Sequence, residues 1–110
     1  MKTFEDLGLK DELLSAITKM GFITPTPIQS KTIPNLLSSV RNIIALAQTG
    51  TGKTAAFGLP AIQLTDIADR RTQTIILAPT RELCLQIAKD LENYAVNIKG
   101  LNITAVYGGA

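Results

Sequence analysis

The sequence predicts an α/β fold in which a parallel sheet is flanked by helices. Three short apolar runs, at residues 42–46, 74–78 and 102–107, have the length and composition of buried strands. Segments with helical periodicity separate these runs along the chain. The run at 74–78 is apolar on both faces, as in a parallel strand that helices cover on both sides. Because strands that alternate with helices favour parallel pairing, these observations together predict an α/β parallel sheet.

The first two helices are predicted from an apolar face and from residues that start or end a helix. Gly21 stands where the first helix would end, since glycine readily adopts the left-handed conformation found there. Thr26 would cap the second helix, and Pro27 would occupy its first position, where a missing N–H breaks no helical bond. Pro34 would kink or restart that helix. The apolar face of the first helix comprises Leu9, Leu13, Ile17 and Met20.

Two further helices follow the first two predicted strands. The third would extend from about Lys53 to Ile67, with a bend near Pro60, and residues 69–71 would form a solvated loop. The fourth begins after the strand at 74–78, and its apolar positions recur with helical spacing. The predicted buried stripe of this helix is Leu83, Cys84, Ile87, Ala88, Leu91 and Ala95.

A glycine-rich loop between the first strand and the third helix predicts phosphate binding. Gly50 and Gly52 let the backbone come close to a ligand, so that backbone N–H groups can surround a phosphate. Lys53 can reach the outer phosphates, and the Thr54 hydroxyl is placed to ligate Mg²⁺. The alternative is a helix start that uses Gly and Thr only as turn and cap. The predicted loop is Ala47, Gln48, Thr49, Gly50, Thr51, Gly52, Lys53 and Thr54, with Ala47 where the general pattern has Gly.

Composition bounds the class of protein. The 110 residues suffice for at most one domain, and 45% hydrophobic residues can build its core. The net charge of +2 does not by itself indicate nucleic-acid binding. The chain has no His, and its single cysteine, Cys84, excludes an internal disulfide. Without a signal-peptide core or a long apolar run at the sequence level, we expect a cytoplasmic protein with no membrane span.

Several further segments, in order along the chain, resemble the DEAD-box RNA helicases. Residues 21–29 (Gly-Phe-Ile-Thr-Pro-Thr-Pro-Ile-Gln) look like the adenine-reading Q motif of that family, and Phe4 looks like its isolated upstream phenylalanine. The phosphate loop is similar to motif I, where Ala in first place is normal for the family. Pro79, Thr80, Arg81, Glu82 and Leu83, with Gln86, resemble motif Ia, and Gly108 with Gly109 resembles the paired glycines that follow.

The resemblance implies that the segment at 21–29 recognises ATP through adenine. The Gln29 carboxamide would donate to N7 and accept from the exocyclic amine, a match that guanine cannot make. A backbone carbonyl near Thr24 would support this preference, and Phe22 would stack on the base. Phe4 would either pack behind Phe22 or touch nucleotide. Taken without the resemblance, Gln29 could cap its helix or lie in solvent, and Phe22 could be a core residue.

The resemblance also implies an RNA site around the start of the fourth helix. There Pro79, Thr80, Arg81 and Gln86 would hold the sugar-phosphate backbone of RNA, which carries no sequence information. A helix N-terminus offers N–H groups to an anion, and arginine adds a charged fork. Gly108 and Gly109 would let RNA approach closely. The alternatives are a capping role for Thr80, a surface ion pair for Arg81, and an ordinary turn at the glycines.

The resemblance implies the N-terminal part of a helicase, with residues 1–38 as a helical segment carrying the Q motif and residues 39–110 as an incomplete first RecA-like domain. The family's Asp-Glu-Ala-Asp segment, its Ser-Ala-Thr motif and its second RecA-like domain with the arginine finger are absent from this sequence. The chain would therefore bind ATP and Mg²⁺ without hydrolysing ATP. Alternatives are part of another P-loop enzyme such as a kinase, or a truncated interaction module. Cys84 is expected to be a core thiol, since the chain has no His to activate it.

Overall fold

The structure, a computed structural model, describes residues 3–38 and 52–108. Within these ranges the chain forms a short 3-10 turn at Glu5–Leu7 and four α-helices. The predicted strand at 42–46 and most of the predicted phosphate loop lie outside the described residues. The helices are α1 (Asp11–Lys19), α2 (Pro27–Ser38), α3 (Lys53–Leu64) and α4 (Arg81–Tyr94).

The ends of α1 and the start of α2 follow from the capping residues that the sequence predicts. Gly21 has φ +92°, a left-handed conformation that ends the helical path after α1. The backbone N–H of Phe22 then donates to the Ile17 carbonyl at 2.9 Å. At the start of α2, the Gln29 N–H donates to the Thr26 hydroxyl at 3.4 Å, and Pro27 is the first helical residue. The short loop between these two helices is thus held at both ends.

The two internal prolines do not end their helices. α2 continues through Pro34 to Ser38, so of the kink or restart predicted there, the restart does not occur. α2 packs on α3, and such tertiary packing can offset the hydrogen bond that Pro34 cannot make. Pro60 also lies inside α3, which ends at Leu64 and not at Ile67.

The segments at 74–78 and 102–107 form no strand, and no ladder of backbone hydrogen bonds joins either of them to another described segment. Ile75 and Leu77 are 78% and 89% exposed, so the described residues do not cover these two side chains. A strand exists through its backbone bonds to a neighbour, and no described segment pairs with either run. The parallel sheet is therefore not seen in the part of the chain that the structure describes.

The core lies where α3 packs between α2 and α4, with the N-terminal segment and α1 closing one side. Burying each large apolar side chain in this core contributes roughly 1.5–3 kcal/mol. A Cβ on Gly58 would lie 2.5 Å from Leu91 Cδ2, so α3 and α4 approach closely at that glycine. Side chains with almost no exposure are Leu13, Ile17, Ile33, Leu59 and Pro60.

The buried face of α4 differs in part from the predicted stripe. Ile87, Leu91 and Ala95 are buried as predicted, but Leu83 is 41% exposed. Cys84 is half-buried, and its thiol lies 3.8 Å from the Val106 carbonyl oxygen. Tyr94, which the predicted stripe leaves out, is only 4% exposed. The buried face is therefore rotated toward Tyr94, because α3 covers that side of α4.

The structure also bears on the loop and the question of membrane spans. Residues 69–71 form an exposed loop, as predicted, and Arg71 pairs with Asp69 at 2.8 Å. The hydrogen bond from Arg71 lowers the pKa of the Asp69 carboxyl. Among residues 3–38 and 52–108, every helix is too short or too polar to traverse a lipid bilayer.

Candidate functional site

The start of α3 is one half of the candidate site. Gly52 precedes the helix with φ +85°, and Lys53 and Thr54 are its first two residues. Its N-cap residue is Gly52, which has no side chain to cap the helix, and a helix N-terminus presents N–H groups that can bind an anion. Lys53 and Thr54 are half-buried. The predicted phosphate-binding residues Ala47, Gln48, Thr49, Gly50 and Thr51 lie outside the described residues.

Gln29 connects the start of α2 to the start of α3. Its carboxamide oxygen accepts a hydrogen bond from the Thr26 N–H at 2.9 Å, and its carboxamide nitrogen donates to the Gly52 carbonyl at 3.3 Å. The side chain is buried, with 3% exposure. These bonds use one lone pair of the oxygen and one hydrogen of the nitrogen, so each atom can make one further bond. Gln29 therefore holds the Gly52 turn through two bonds that leave one donor hydrogen and one acceptor lone pair beyond them.

Two features of position 52 favour glycine. One is its left-handed backbone, and the other is its close approach to the side chain of Gln29. A Cβ built on Gly52 would lie 2.3 Å from Gln29 Nε2 and 3.0 Å from Gln29 Cδ. The sequence predicts Gly52 as a close-approach residue for phosphate. The structure shows that its backbone also approaches the side chain of Gln29, so the two predicted ligand-binding segments are in direct contact.

Three aromatic rings lie in a row beside the loop that carries the predicted adenine contacts. The Phe22 ring centroid lies 5.9 Å from that of Phe4 and 6.0 Å from that of Tyr94. Phe4 is 6% exposed, so it packs behind Phe22, one of the two roles left open by the sequence. Phe22 is half-buried, and Thr24 lies exposed in the same loop. Phe22 thus lies between the core and the surface, with its ring in contact with both Phe4 and Tyr94.

Tyr94 is a residue of this region that the sequence-based prediction missed. Its burial, together with the negative charge of Asp90, raises the pKa of its hydroxyl to about 12. The signal in the sequence was its spacing, since residues 87, 91 and 94 follow the i, i+4, i+7 pattern of one helical face. A tyrosine at the end of that pattern can be core or surface, and only the packing of α3 decides between them.

The start of α4 is the other half of the candidate site. Thr80 caps the helix through its hydroxyl, which accepts from the Leu83 N–H at 3.1 Å. The Arg81 guanidinium donates to the Gly108 carbonyl at 3.1 Å and lies 5.0 Å from the Tyr107 ring centroid. The structure thus brings together Arg81 and Gly108, which the sequence predicted from separate segments.

The remaining predicted residues near α4 have simpler surroundings. Pro79 is exposed beside the cap, and Gln86 is exposed and donates to Asp90 Oδ1 at 2.9 Å. Gly109 lies outside the described residues. Thr80 thus acts as the cap of α4, and Thr80, Arg81 and Gly108 lie on one surface patch.

A cavity of about 810 Å³ opens elsewhere, between residues 72–78 and residues 100–106. Its floor is formed by parts of α3 and α4 that include Ile62, Ile87 and Leu91. Of the residues predicted to bind adenine or phosphate, those that the structure describes do not line it. The cavity is the space between the two runs predicted as strands.

Comparison with known protein families shows a match to the DEAD/DEAH box helicase model over residues 26–110. The chain is 47% identical over 107 residues to the ATP-dependent RNA helicase DeaD of Klebsiella pneumoniae, covering 97% of this chain and 16% of that protein. It is 44% identical over 109 residues to the DEAD-box ATP-dependent RNA helicase CshA of Geobacillus kaustophilus, covering 99% of this chain and 23% of the other. The chain thus spans less than a quarter of each of these two relatives.

Solved structures show the same fold. The chain superposes with a TM-score of 0.83 on a DEAD box protein from Methanococcus jannaschii, at 41% identity over 98% of this chain and 29% of the other. It superposes with a TM-score of 0.84 on S. cerevisiae Dbp5 bound to RNA and ADP BeF3, at 42% identity over 90% and 26%. Prp28 from Chaetomium thermophilum, bound to ADP, gives 0.85 at 38% identity over 100% and 28%.

Proposed function

This chain belongs to the DEAD/DEAH box helicase family, and on that premise we propose that it is the ATP-binding N-terminal part of an ATP-dependent RNA helicase. The observation that carries the proposal is the Gln29–Gly52 contact, which joins the predicted adenine reader to the turn before Lys53 and Thr54. A single ligand with a base at one end and phosphates at the other would contact both. The finer fold proposal is a RecA-like parallel sheet that includes residues 74–78 and 102–107.

The phosphates of ATP would be held at the start of α3. The left-handed Gly52 at the N-terminus of α3 suits an anion, and Lys53 adds a positive charge there. Ala47, Gln48, Thr49, Gly50 and Thr51 would complete the loop. The Thr54 hydroxyl would be a ligand of Mg²⁺, which when bound neutralises charge on the phosphate oxygens. The left-handed turn at Gly52, directly before Lys53 and Thr54, supports this proposal.

The adenine base would be recognised by Gln29 and Phe22. Gln29 keeps one donor and one acceptor after its two bonds within the chain, which is the number that the N7 and amine of adenine require. Guanine has a carbonyl in place of that amine. The acceptor oxygens of Gln29 and of a backbone carbonyl near Thr24 would then face another acceptor, with which they cannot form a hydrogen bond. Phe22 would supply the apolar face for stacking.

RNA would bind at the start of α4 through its sugar-phosphate backbone. Arg81 bonds to Gly108, so the segment at 79–81 and the segment ending at Gly108 and Gly109 would form one contact surface. Gln86 would extend this surface along the helix. A neighbouring solved structure, that of Dbp5, is bound to RNA, which supports the same partner here. A second RecA-like domain of the parent protein would be a partner of this chain and would supply the arginine finger that phosphoryl transfer needs.

The test is the preference of the chain for ADP over GDP, measured by isothermal titration calorimetry. A two-point base contact is worth roughly 1–3 kcal/mol, so ADP should bind about 5- to 150-fold more tightly than GDP. Gln29→Ala should abolish the preference. The proposal is wrong if the two nucleotides bind equally well or if Gln29→Ala keeps the wild-type ratio.

Gln63→Ala is the matched control. The Gln63 carboxamide also makes two bonds across the chain, accepting from the Lys10 N–H at 2.8 Å and donating to the Gly8 carbonyl at 2.9 Å. It lies at the far end of α3 from Gly52. Gln63→Ala therefore removes a bridge of the same chemistry without touching the proposed adenine site, and it should leave the ADP/GDP ratio unchanged.

A further inference from the structure

We propose that Tyr94 is a positioning residue for adenine binding, acting through the orientation of Phe22. This inference rests on the proposed function, since it concerns the ring that would stack on the base. The Tyr94 and Phe22 rings meet nearly edge to face, with an interplanar angle of 73° and 6.0 Å between centroids. That is the geometry in which the positive edge of one ring meets the negative face of the other.

Tyr94 is itself held in place by the packing of two helices. It is the last residue of α4 and is 4% exposed. A Cβ built on Gly58 of α3 would lie 3.7 Å from Tyr94 Cε2 and 2.5 Å from Leu91 Cδ2, which leaves little room between the helices. Since α3 begins at the proposed phosphate site, the same helix positions Lys53 at its start and the ring of Tyr94 near its middle.

Phe22 has little freedom at its backbone, so its ring direction depends on its neighbours. Its N–H bonds to the Ile17 carbonyl at 2.9 Å, and the left-handed Gly21 precedes it. Phe4 approaches the ring at 5.9 Å with an interplanar angle of 45°. Phe4 and Tyr94 together therefore limit the directions that the Phe22 ring can take before a base arrives, and a ring already oriented loses less freedom on binding.

A comparison of two ligands can distinguish this role of Tyr94 from a general contribution of its side chain to the stability of the core. Adenine stacking involves Phe22, whereas the phosphates would bind at Lys53 and the loop. ADP and inorganic pyrophosphate share the diphosphate and differ in the nucleoside. The ratio of their affinities therefore reports the nucleoside site, base and ribose together, and a variant that merely loosens the fold lowers both affinities.

The experiment compares wild type, Tyr94→Leu and Tyr94→Phe for binding of ADP and of pyrophosphate. Tyr94→Leu should weaken ADP binding about two- to tenfold while leaving pyrophosphate binding unchanged. Tyr94→Phe keeps the ring and should keep the wild-type ratio. In a Phe22→Leu background, Tyr94→Leu should have no further effect on the ratio, because Tyr94 acts through Phe22. Ile87→Val, which shortens a buried side chain of the same helix, should leave the ratio unchanged.

The outcomes distinguish the inference from the function on which it rests. A wild-type chain that binds ADP no better than pyrophosphate overturns the proposed adenine site and the inference with it. A wild-type preference that survives Tyr94→Leu, or a loss that is equal for both ligands, overturns only the positioning role. An additional loss from Tyr94→Leu in the Phe22→Leu background also overturns it.

A second measurement avoids any substitution in the core. The sequence has two tyrosines and no tryptophan, so Tyr107→Phe leaves Tyr94 as the single strong intrinsic fluorophore. Addition of ADP should change the emission of Tyr94, since the base would stack on the ring that Tyr94 contacts. Pyrophosphate should not. Emission that responds to neither ligand, or equally to both, contradicts the proposed contact.

Discussion

The contact between Gly52 and Gln29 leads to a quantitative prediction for Gly52→Ala. The new methyl group would lie 2.3 Å from Gln29 Nε2, and residue 52 would keep a φ of +85° that alanine disfavours. Gln29 cannot simply swing into solvent, because it is buried and bonded on both sides. We expect the substitution to displace the Gln29 carboxamide from the Gly52 carbonyl and to lower the free energy of unfolding.

The magnitude is the sum of two separate terms. The left-handed backbone costs about 1–2 kcal/mol for a residue with a Cβ. Breaking the hydrogen bond from Gln29 Nε2 and leaving a buried polar group unpaired costs about 1–3 kcal/mol more. We therefore expect Gly52→Ala to reduce the free energy of unfolding by about 2–5 kcal/mol, a large fraction of the stability of a small domain.

The chain offers a matched control in Gly21→Ala. Gly21 has φ +92°, close to that of Gly52, but no heavy atom lies within 4 Å of its ideal Cβ. Gly21→Ala should therefore show only the backbone term, about 1–2 kcal/mol. The difference between the two variants isolates the contact with Gln29.

The assay is urea denaturation followed by circular dichroism, in both the wild-type and the Gln29→Ala background. With the Gln29 side chain removed, most of the excess cost of Gly52→Ala over Gly21→Ala should disappear, since only the backbone term and a 3.2 Å approach to Thr26 Oγ1 remain. The reasoning is refuted if the two glycine variants are already equal in the wild-type background, or if the excess for Gly52→Ala persists in full without Gln29.

Three further predictions concern charge, catalysis and pH. Lys53→Ala should remove most binding of ADP without loss of helical circular dichroism, because Lys53 is half-buried at the start of α3 and would act on phosphate; unchanged calorimetric binding would exclude it as the phosphate lysine. The chain should show no RNA-stimulated ATP hydrolysis when its turnover is compared with that of a full-length relative such as DeaD of Klebsiella pneumoniae. The reason is that arginine fingers alone contribute about 10³–10⁵ in rate. Comparable turnover of the two proteins would place catalysis within these residues. Tyr94 has a folded pKa of about 12 against a reference of 10.0, so its neutral form favours the fold and its contribution is lost as pH rises from 10 to 12. The free energy of unfolding of Tyr94→Phe should decrease less steeply between pH 10 and 12 than that of the wild type. Identical slopes against pH would contradict the raised pKa of Tyr94.

The sequence by itself determined the features that depend on nearby residues. Thr26 and Pro27 start α2 as predicted, and Thr80 caps α4, which the sequence left open as an alternative, because capping bonds join residues three positions apart. The order of motifs along the chain also determined the family, since each motif is a local pattern. The same local reasoning was too strict for Pro34, where packing of α2 on α3 keeps the helix continuous.

Only the tertiary structure decided how distant residues meet. Gln29 and Gly52 are 23 positions apart, and Arg81 and Gly108 are 27 apart, so no spacing rule predicts either bond. Tyr94 became part of the core because α3 covers one side of α4, which periodicity cannot show. The runs at 74–78 and 102–107 are apolar enough for strands, yet a strand also needs a partner for its backbone groups. Whether such a run becomes a strand is therefore decided by what lies beside it and not by its own residues.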